Sequence, residues 1–229
     1  DIALWDLNGK QLGQPVSRLI GGRFREKLLA YATGFYRYDG EKYPETAVGE
    51  ALKLKSAGFK GMKLKLGFTP DADIEYVRAV RHAIGHDIML MADFNACYSQ
   101  AVARRIIREL EPEKLYFYEE PLTPEDMEGY RAIRNISSSY IAAGEEIFGK
   151  FHMNEWLRAG ALDIYQPDLC SAGGFTECKK MAAIAQAYNC AVIPHAWGSG
   201  IGLAAALQFV ASLPPTPVCD TPVELMLEF

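Results

Sequence analysis

Met89-Leu90-Met91-Ala92-Asp93-Phe94-Asn95 is the stretch on which the fold turns. Met, Leu and Ala offer solvent nothing polar, so the run reads as a buried strand, and it stops on a carboxylate. The same event recurs twice. Leu115-Tyr116-Phe117-Tyr118 runs into Glu119, and Tyr140-Ile141-Ala142-Ala143-Gly144 runs into Glu145. Asp93, Glu119 and Glu145 fall 26 residues apart. Three apolar strands on one period, each tipped with an acid, ask for a cation.

Working outward, the pattern of strand, helix and strand continues in both directions. Leu28 to Thr33 reads as a first strand and Pro44 to Ala57 as a helix closed by Gly58. Gly61 to Leu66 alternates with period two, which puts Lys63 and Lys65 on one face. Asp71 to Ile84 is helical, and helices are expected over 99–109, 126–134, 150–159, 175–188 and 202–212. Leu162 to Asp168, Ala191 to His195 and Glu224 to Phe229 supply the remaining strands, and Asp1 to Gly9 reads as the end of a helix stopped by Gly9. Eight strands alternating with helices predict an α/β fold: a parallel barrel of the TIM type, spanning 1–229 as one domain. A doubly wound open sheet would want a glycine-rich dinucleotide turn after its first strand, and Tyr31-Ala-Thr-Gly34-Phe is not one.

Composition narrows the function. The 229 residues are 49% hydrophobic and 23% charged, enough for one sizeable core. A net charge of −5 argues against nucleic acid, whose phosphates need a basic patch. No apolar run approaches the roughly 18 residues of a membrane span. The five cysteines never form C-x-x-C, so free thiols in a reducing cytoplasm are expected.

In parallel barrels the working residues sit at the C-terminal strand ends. Here these positions carry Lys65, Asp93, Glu119, Glu145, Asp168, His195 and Glu228, in steps of 28, 26, 26, 23, 27 and 33 residues. Three carboxylates repel one another in a partly desolvated pocket, and a divalent ion removes that conflict. An all-oxygen set selects a hard cation such as Mg2+, and no H-x-H pair points to zinc. Lys63 and the ion are both expected to disfavour the Lys65 ammonium. Moving a lysine from about 10.4 toward 7 costs roughly 4–5 kcal/mol and yields a usable base. Asp168, one strand before His195, is placed to fix the imidazole tautomer.

The set Lys63-Met-Lys65, Asp93-Phe-Asn95, Glu119-Glu-Pro121, Gly144-Glu145, Gln166-Pro-Asp168 and Pro194-His195-Ala-Trp-Gly resembles the enolase superfamily, mandelate racemase subgroup. The resemblance covers essentially the whole chain. It implies a (β/α)7β barrel, Asp93, Glu119 and Glu145 as Mg2+ ligands, Lys65 as one acid/base and the His195–Asp168 pair as the other; metal plus Lys or His is the known pattern of this superfamily. Glu228 matches the final-strand glutamate that donates a hydrogen bond to the substrate carboxylate, with Glu224 as competitor. The chemistry implied is abstraction of the proton α to a carboxylate through an enediolate. Dehydration of a sugar acid to a 2-keto-3-deoxy acid, in carbohydrate acid catabolism, is preferred over racemisation or epimerisation of a 2-hydroxy acid by the same bases. A phosphosugar aldolase or isomerase and a non-catalytic barrel are the rivals. Family members carry an N-terminal capping domain that closes the site. None lies within these residues, so a longer chain is expected, as are a small-molecule sugar-acid partner, a homo-oligomer and a cytoplasmic location.

Some positions stay open on the sequence alone. Glu120 could replace Glu119 as ligand but reads better as its support, and Glu146 raises the same question beside Glu145. Asn95 either helps orient the metal site or caps the next helix. Lys63 and Lys65 face the barrel interior, because their flanks Met62, Leu64 and Leu66 would face the helices. His82, His86 and His152 read as surface residues. Gly198-Ser199-Gly200-Ile201-Gly202 could cradle a phosphate, but reads better as a turn that lets Trp197 pack near the site.

Overall fold

The structure is a computed structural model that describes residues 1–38, 40–215 and 226–229. It divides into two compact units, Ala30–Ala142 and Asp1–Leu29 with Ala143–Phe229. Seven consecutive βα pairs are followed by a last strand, which is the (β/α)7β, TIM-barrel class that the sequence predicts.

In the Ala30–Ala142 unit, β1 (Leu29–Thr33), β2 (Gly61–Lys65), β3 (Met89–Asp93), β4 (Phe117–Glu119) and β5 (Tyr140–Ala143) lie side by side in chain order, every pair parallel. The crossovers are α3 (Glu45–Ser56), α4 (Pro70–Ile84), α5 (Gln100–Leu110) and α6 (Met127–Arg134). Helical spacing decides which face each helix buries. Ile74, Val77, Val80 and Ile84 of α4, and Ala103, Ile106, Ile107 and Leu110 of α5, are all buried. Both faces of β2 and β3 are covered, so these strands read as continuous apolar runs broken only by functional residues. Side chains close the helix starts: Thr69 caps α4 ahead of Pro70, and the Asp126 carboxylate caps α6 through the Gly129 N–H.

Arg81 holds the N-terminal ends of these strands. It is 3% exposed and donates to the carbonyls of Gly85, Ile88, Glu113 and Lys114. Burial pushes its pKa down, partly offset by Glu113. Four main-chain oxygens that two loops leave unpaired are satisfied by one side chain.

In the other unit, β6 (Ile164–Tyr165) and β7 (Ala191–Val192) pair in parallel, and the Gln166 N–H bonds the Ala143 carbonyl at the end of β5. Around them lie α1 (Ile2–Leu12), α2 (Val16–Leu19), α7 (Lys150–Arg158), α8 (Gly174–Ala187), α9 (Gly200–Ala211) and β8 (Met226–Glu228). Helix α1 does not stop at Gly9. It runs through that residue and ends at Gly13, whose left-handed conformation (φ 61°) closes it. Gly9 is there because a Cβ would come within 2.9 Å of the Gln14 carbonyl. The strands β6 and β7 are shorter than the sequence runs that contain them, since Pro167 and Pro194 lack the amide a longer ladder needs.

Among the described residues no helix is long and apolar enough to cross a membrane. Cys97, Cys170, Cys178 and Cys190 are free thiols, the first two exposed and the others buried. Cys219 and Glu224 lie outside the described residues.

Candidate active site

Register builds the first cluster. Lys65 lies opposite Asp93 across β2 and β3, and Asp93 lies opposite Glu119 across β3 and β4. Neighbouring strands run about 4.8 Å apart, so three charged side chains leave one sheet face side by side. Lys63 leaves the same face one layer lower. All are withdrawn from solvent: Lys63, Asp93 and Glu119 are at most 1% exposed, and the Lys65 side chain is 15% exposed. The Lys63 ammonium sits 2.7 Å from Glu119 Oε1 and 3.7 Å from Asp93 Oδ2, and that of Lys65 sits 2.5 Å from Asp93 Oδ2. The Tyr31 ring lies 5.8 Å from the Lys63 ammonium.

Lys63 disfavours the Lys65 ammonium, as expected, and a second neighbour works the other way. Burial works to lower the Lys65 pKa and Lys63 adds to it, but the Asp93 charge and hydrogen bond outweigh both and hold Lys65 above its ordinary value. Asp93 behaves as the matching partner. Burial would raise it, and the two lysines hold it below the usual carboxylate range. Asp93 Oδ1 also accepts the Asn95 N–H at 2.8 Å. Asn95 therefore serves Asp93 through its backbone while its side chain is exposed, and Ser99, not Asn95, stands at the N-terminus of α5. Glu120 is buried in a left-handed turn (φ 40°); its N–H reaches the Ala142 carbonyl and its own carbonyl accepts from Ala96.

A second cluster forms in the other unit by the same register logic. Tyr165 faces Val192 across β6 and β7, so Asp168 and His195, each three residues further on, leave the strand ends together. Asp168 Oδ2 lies 2.8 Å from His195 Nδ1, and Asp168 Oδ1 accepts the Cys170 N–H at 2.6 Å. Burial would raise the Asp168 pKa; the bonds from His195 and the Cys170 and Ser171 amides bring it below its ordinary value. On the far side of the ring, His195 Nε2 stands 3.3 Å from Glu145 Oε2, a contact the strand count did not anticipate. Glu145 is delivered by Gly144, whose φ of 149° and close approach to the Gln166 amide (2.6 Å from a Cβ built there) leave room for no side chain. Glu228 is fully buried, and its Oε2 accepts the Ala196 N–H at 3.3 Å. Ser199 caps α9 through the Gly202 N–H, so the glycine-rich turn starts a helix, and Trp197 is 64% exposed.

Among the described residues no group of three or more His, Cys, Asp or Glu side chains is drawn together tightly enough to hold an ion. The donor chemistry nevertheless fits a hard divalent cation. Asp93 and Glu119 are a buried register pair of oxygen donors, the ligand type a hard divalent cation takes; in this structure both are paired with lysine ammonium groups. His82, His86 and His152 are exposed, as expected.

Sequence reading missed Asp73 and Arg37. Asp73 is fully buried on the first turn of α4 and Arg37 lies on the loop after β1. Neither stands at a strand end, so the spacing rule could not find them.

Comparison with known proteins adds a lineage to this geometry. A family model described as enolase C-terminal domain-like matches residues 46–224. The D-galactarolactone cycloisomerase of Agrobacterium fabrum is 40% identical over all 229 residues, which is 61% of that protein. A D-galactonate dehydratase of Ralstonia pickettii is 38% identical over 91% of the chain and 56% of its own length. The crystal structure of the 3,6-anhydro-D-galactonate cycloisomerase from Zobellia galactanivorans superposes with a TM-score of 0.91 at 39% identity, covering 100% of this chain and 61% of that one. The chain thus spans about three-fifths of the length of the relatives it matches.

Proposed function

The chain belongs to the enolase C-terminal domain-like family, and from that premise we propose that the full-length protein abstracts the proton α to the carboxylate of a sugar acid and expels the neighbouring 3-hydroxyl as water. The observation that carries this reading is the Asp168–His195 pair, 2.8 Å apart at the ends of adjacent strands, in a chain that also buries two lysines against two carboxylates.

Each residue has a task that its surroundings support. Asp168 binds Nδ1, which fixes the tautomer, leaves Nε2 as the working nitrogen and stabilises the ring when it is protonated. His195 takes the α-proton, or Lys65 does where the stereochemistry of the substrate puts the proton on its side; Lys65 is held protonated by Asp93 in this structure, so it acts as a base only if a bound ion takes over that carboxylate. His195, protonated, then gives its proton to the 3-hydroxyl as the carbon–oxygen bond breaks. Water leaves, and the enol left behind tautomerises to a 2-keto-3-deoxy acid. Glu228 is the proposed donor of a hydrogen bond to the substrate carboxylate; its burial disfavours the ionised form, while the Ala196 amide bonds its Oε2. Lys63 keeps Asp93 and Glu119 ionised.

Asp93 and Glu119, with Glu145, are the proposed Mg2+ ligands, and Glu120 and Asn95 support them. When bound, the ion supplies positive charge where negative charge develops on the substrate carboxylate.

The test is a panel of sugar acids, D-galactonate first, incubated with the full-length protein and Mg2+ and scored for 2-keto acid. The relative at 40% identity favours a second reading, cycloisomerisation of a sugar lactone by the same bases. A sugar lactone added to the panel and converted to a product of the same mass, with no keto acid, supports that alternative. No turnover of any sugar acid or lactone contradicts both.

A further inference from the structure

We propose that Asp73 is a positioning residue for Lys65: one buried carboxylate ties the loops after β1, β2 and β3 into a single rim that fixes the backbone carrying the Lys65 ammonium. The inference rests on the reading of Lys65 as an acid/base.

The chain that leaves β2 is held at three successive amides. Leu66 donates to the Asp93 carbonyl at 2.8 Å, and Gly67 and Phe68 donate to Asp73 Oδ2 at 2.8 and 3.3 Å. The same oxygen accepts the Tyr98 hydroxyl, from the loop after β3, at 2.5 Å. The other oxygen, Oδ1, lies 3.5 Å from the Arg37 guanidinium, from the loop after β1. Arg37 in turn lies over the Phe68 ring at 3.6 Å and near Tyr43 and Tyr76 at 4.8 and 5.2 Å. The Tyr98 ring meets Phe94 edge-on at 5.9 Å. Gly67 packs so closely that a Cβ would stand 2.6 Å from Cys97 Sγ.

A helix cap would not need this reach. Thr69 already caps α4, and an acid in the first turn of a helix is ordinarily exposed. Asp73 is 0% exposed, and a buried carboxylate needs compensating partners: Oδ2 accepts three hydrogen bonds, while Oδ1 accepts none and is met only by the Arg37 ion pair. Here the partners come from three different loops, each following a strand whose end carries Thr33, Lys65 or Asp93. Burial, then the Asp73 bond, raises the Tyr98 pKa, so its hydroxyl stays a donor to Asp73. Loss of Asp73 would release Gly67 and Phe68, two and three residues beyond Lys65, and let the lysine wander from Asp93.

The test uses full-length protein with Asp73→Asn, Tyr98→Phe and Arg37→Met, and Lys65→Ala as the benchmark. Three quantities are read: exchange of the α-proton of D-galactonate in D2O with Mg2+, amide hydrogen exchange, and melting. In Asp73→Asn the maximal exchange rate should fall about tenfold to a hundredfold, because small misplacements of a reacting group are costly. KM should stay within about threefold, since ground-state binding is not the target. The Gly67 and Phe68 amides should exchange at least about tenfold faster while those of Leu90 to Ala92 do not change. Tyr98→Phe and Arg37→Met should give smaller changes of the same kind, and they decide the matter if Asp73→Asn does not fold. A folded Asp73→Asn with a rate within about twofold of wild type, or with unchanged Gly67 and Phe68 amides, overturns the proposal. If Lys65→Ala exchanges the proton at the wild-type rate, the base assignment falls instead, and the amide measurement still judges the rim.

Discussion

Replacing Lys63 by Met keeps the stem and deletes the ammonium that stands 2.7 Å from Glu119 and 3.7 Å from Asp93. Both carboxylates are at most 1% exposed, so water cannot replace the lost charge. Removing one partner of a buried ion pair costs about 3–5 kcal/mol, because the other charge stays behind unpaired. Protonation sets a ceiling. A glutamate of ordinary value near 4.3 can always take up a proton, which at pH 7 costs about 4 kcal/mol at 1.36 kcal/mol per pH unit. The expected loss is therefore about 3–4 kcal/mol, a large part of the 5–15 kcal/mol that holds a typical domain together. At roughly 2–4 °C per kcal/mol for a chain of this size, the melting point should drop by about 10 °C. Urea denaturation of the full-length protein in EDTA measures this directly. Lys63→Met with Glu119→Gln should recover about half of the loss, because removing both members of a buried pair is far cheaper than removing one. A single variant that costs less than about 1 kcal/mol, or a double variant no more stable than the single, would refute the claim that Lys63 exists to keep these two acids ionised.

Three further outcomes follow from the same structure. Arg81→Ala strands the carbonyls of Gly85, Ile88, Glu113 and Lys114 and should cost at least about 3 kcal/mol in the denaturation midpoint, while Arg81→Lys recovers less than half. Gly144→Ala puts a methyl group 2.6 Å from the Gln166 amide at a φ of 149°, and a loss of about 2 kcal/mol or more should appear in thermal melts. Asp168 has a folded pKa below its unfolded value near 3.9, so its stabilisation is fully present above about pH 4 and disappears as pH falls through the folded value. The stability gap between wild type and Asp168→Asn, measured by denaturation across pH 2–6, should accordingly be widest at the upper end and shrink with acid.

The strand-tip rule accounts for what could be read in advance. A parallel strand buried on both faces shows charge only where it ends, so Asp93, Glu119 and the lysines of β2 stood out against apolar neighbours, and register did the rest. The Asp168–His195 contact was legible for the same reason: two acid/base residues at equal distances past paired strand positions must leave the sheet together. Three features were not legible. The direction of the Lys65 pKa depended on whether burial or Asp93 wins, a contest of distances that spacing cannot supply. Asp73 lies inside a helical pattern, where an acid in the first turn reads as an exposed cap; only the folded loops show its partners. Gly9 looked like a stop because glycine usually is one, yet its role is close approach to the Gln14 carbonyl, and Gly13 ends the helix.

The most direct test of the account is the rate at which the full-length protein with Mg2+ exchanges the α-proton of D-galactonate for deuterium in D2O, compared among wild type, Lys65→Ala and His195→Asn. The account predicts that wild type exchanges the proton or carries the acid on to its 2-keto-3-deoxy product. Whichever of the two groups faces that proton should, when substituted, lower the rate by about a hundredfold or more, in keeping with the loss of a general base. Wild-type rates in both variants would contradict it.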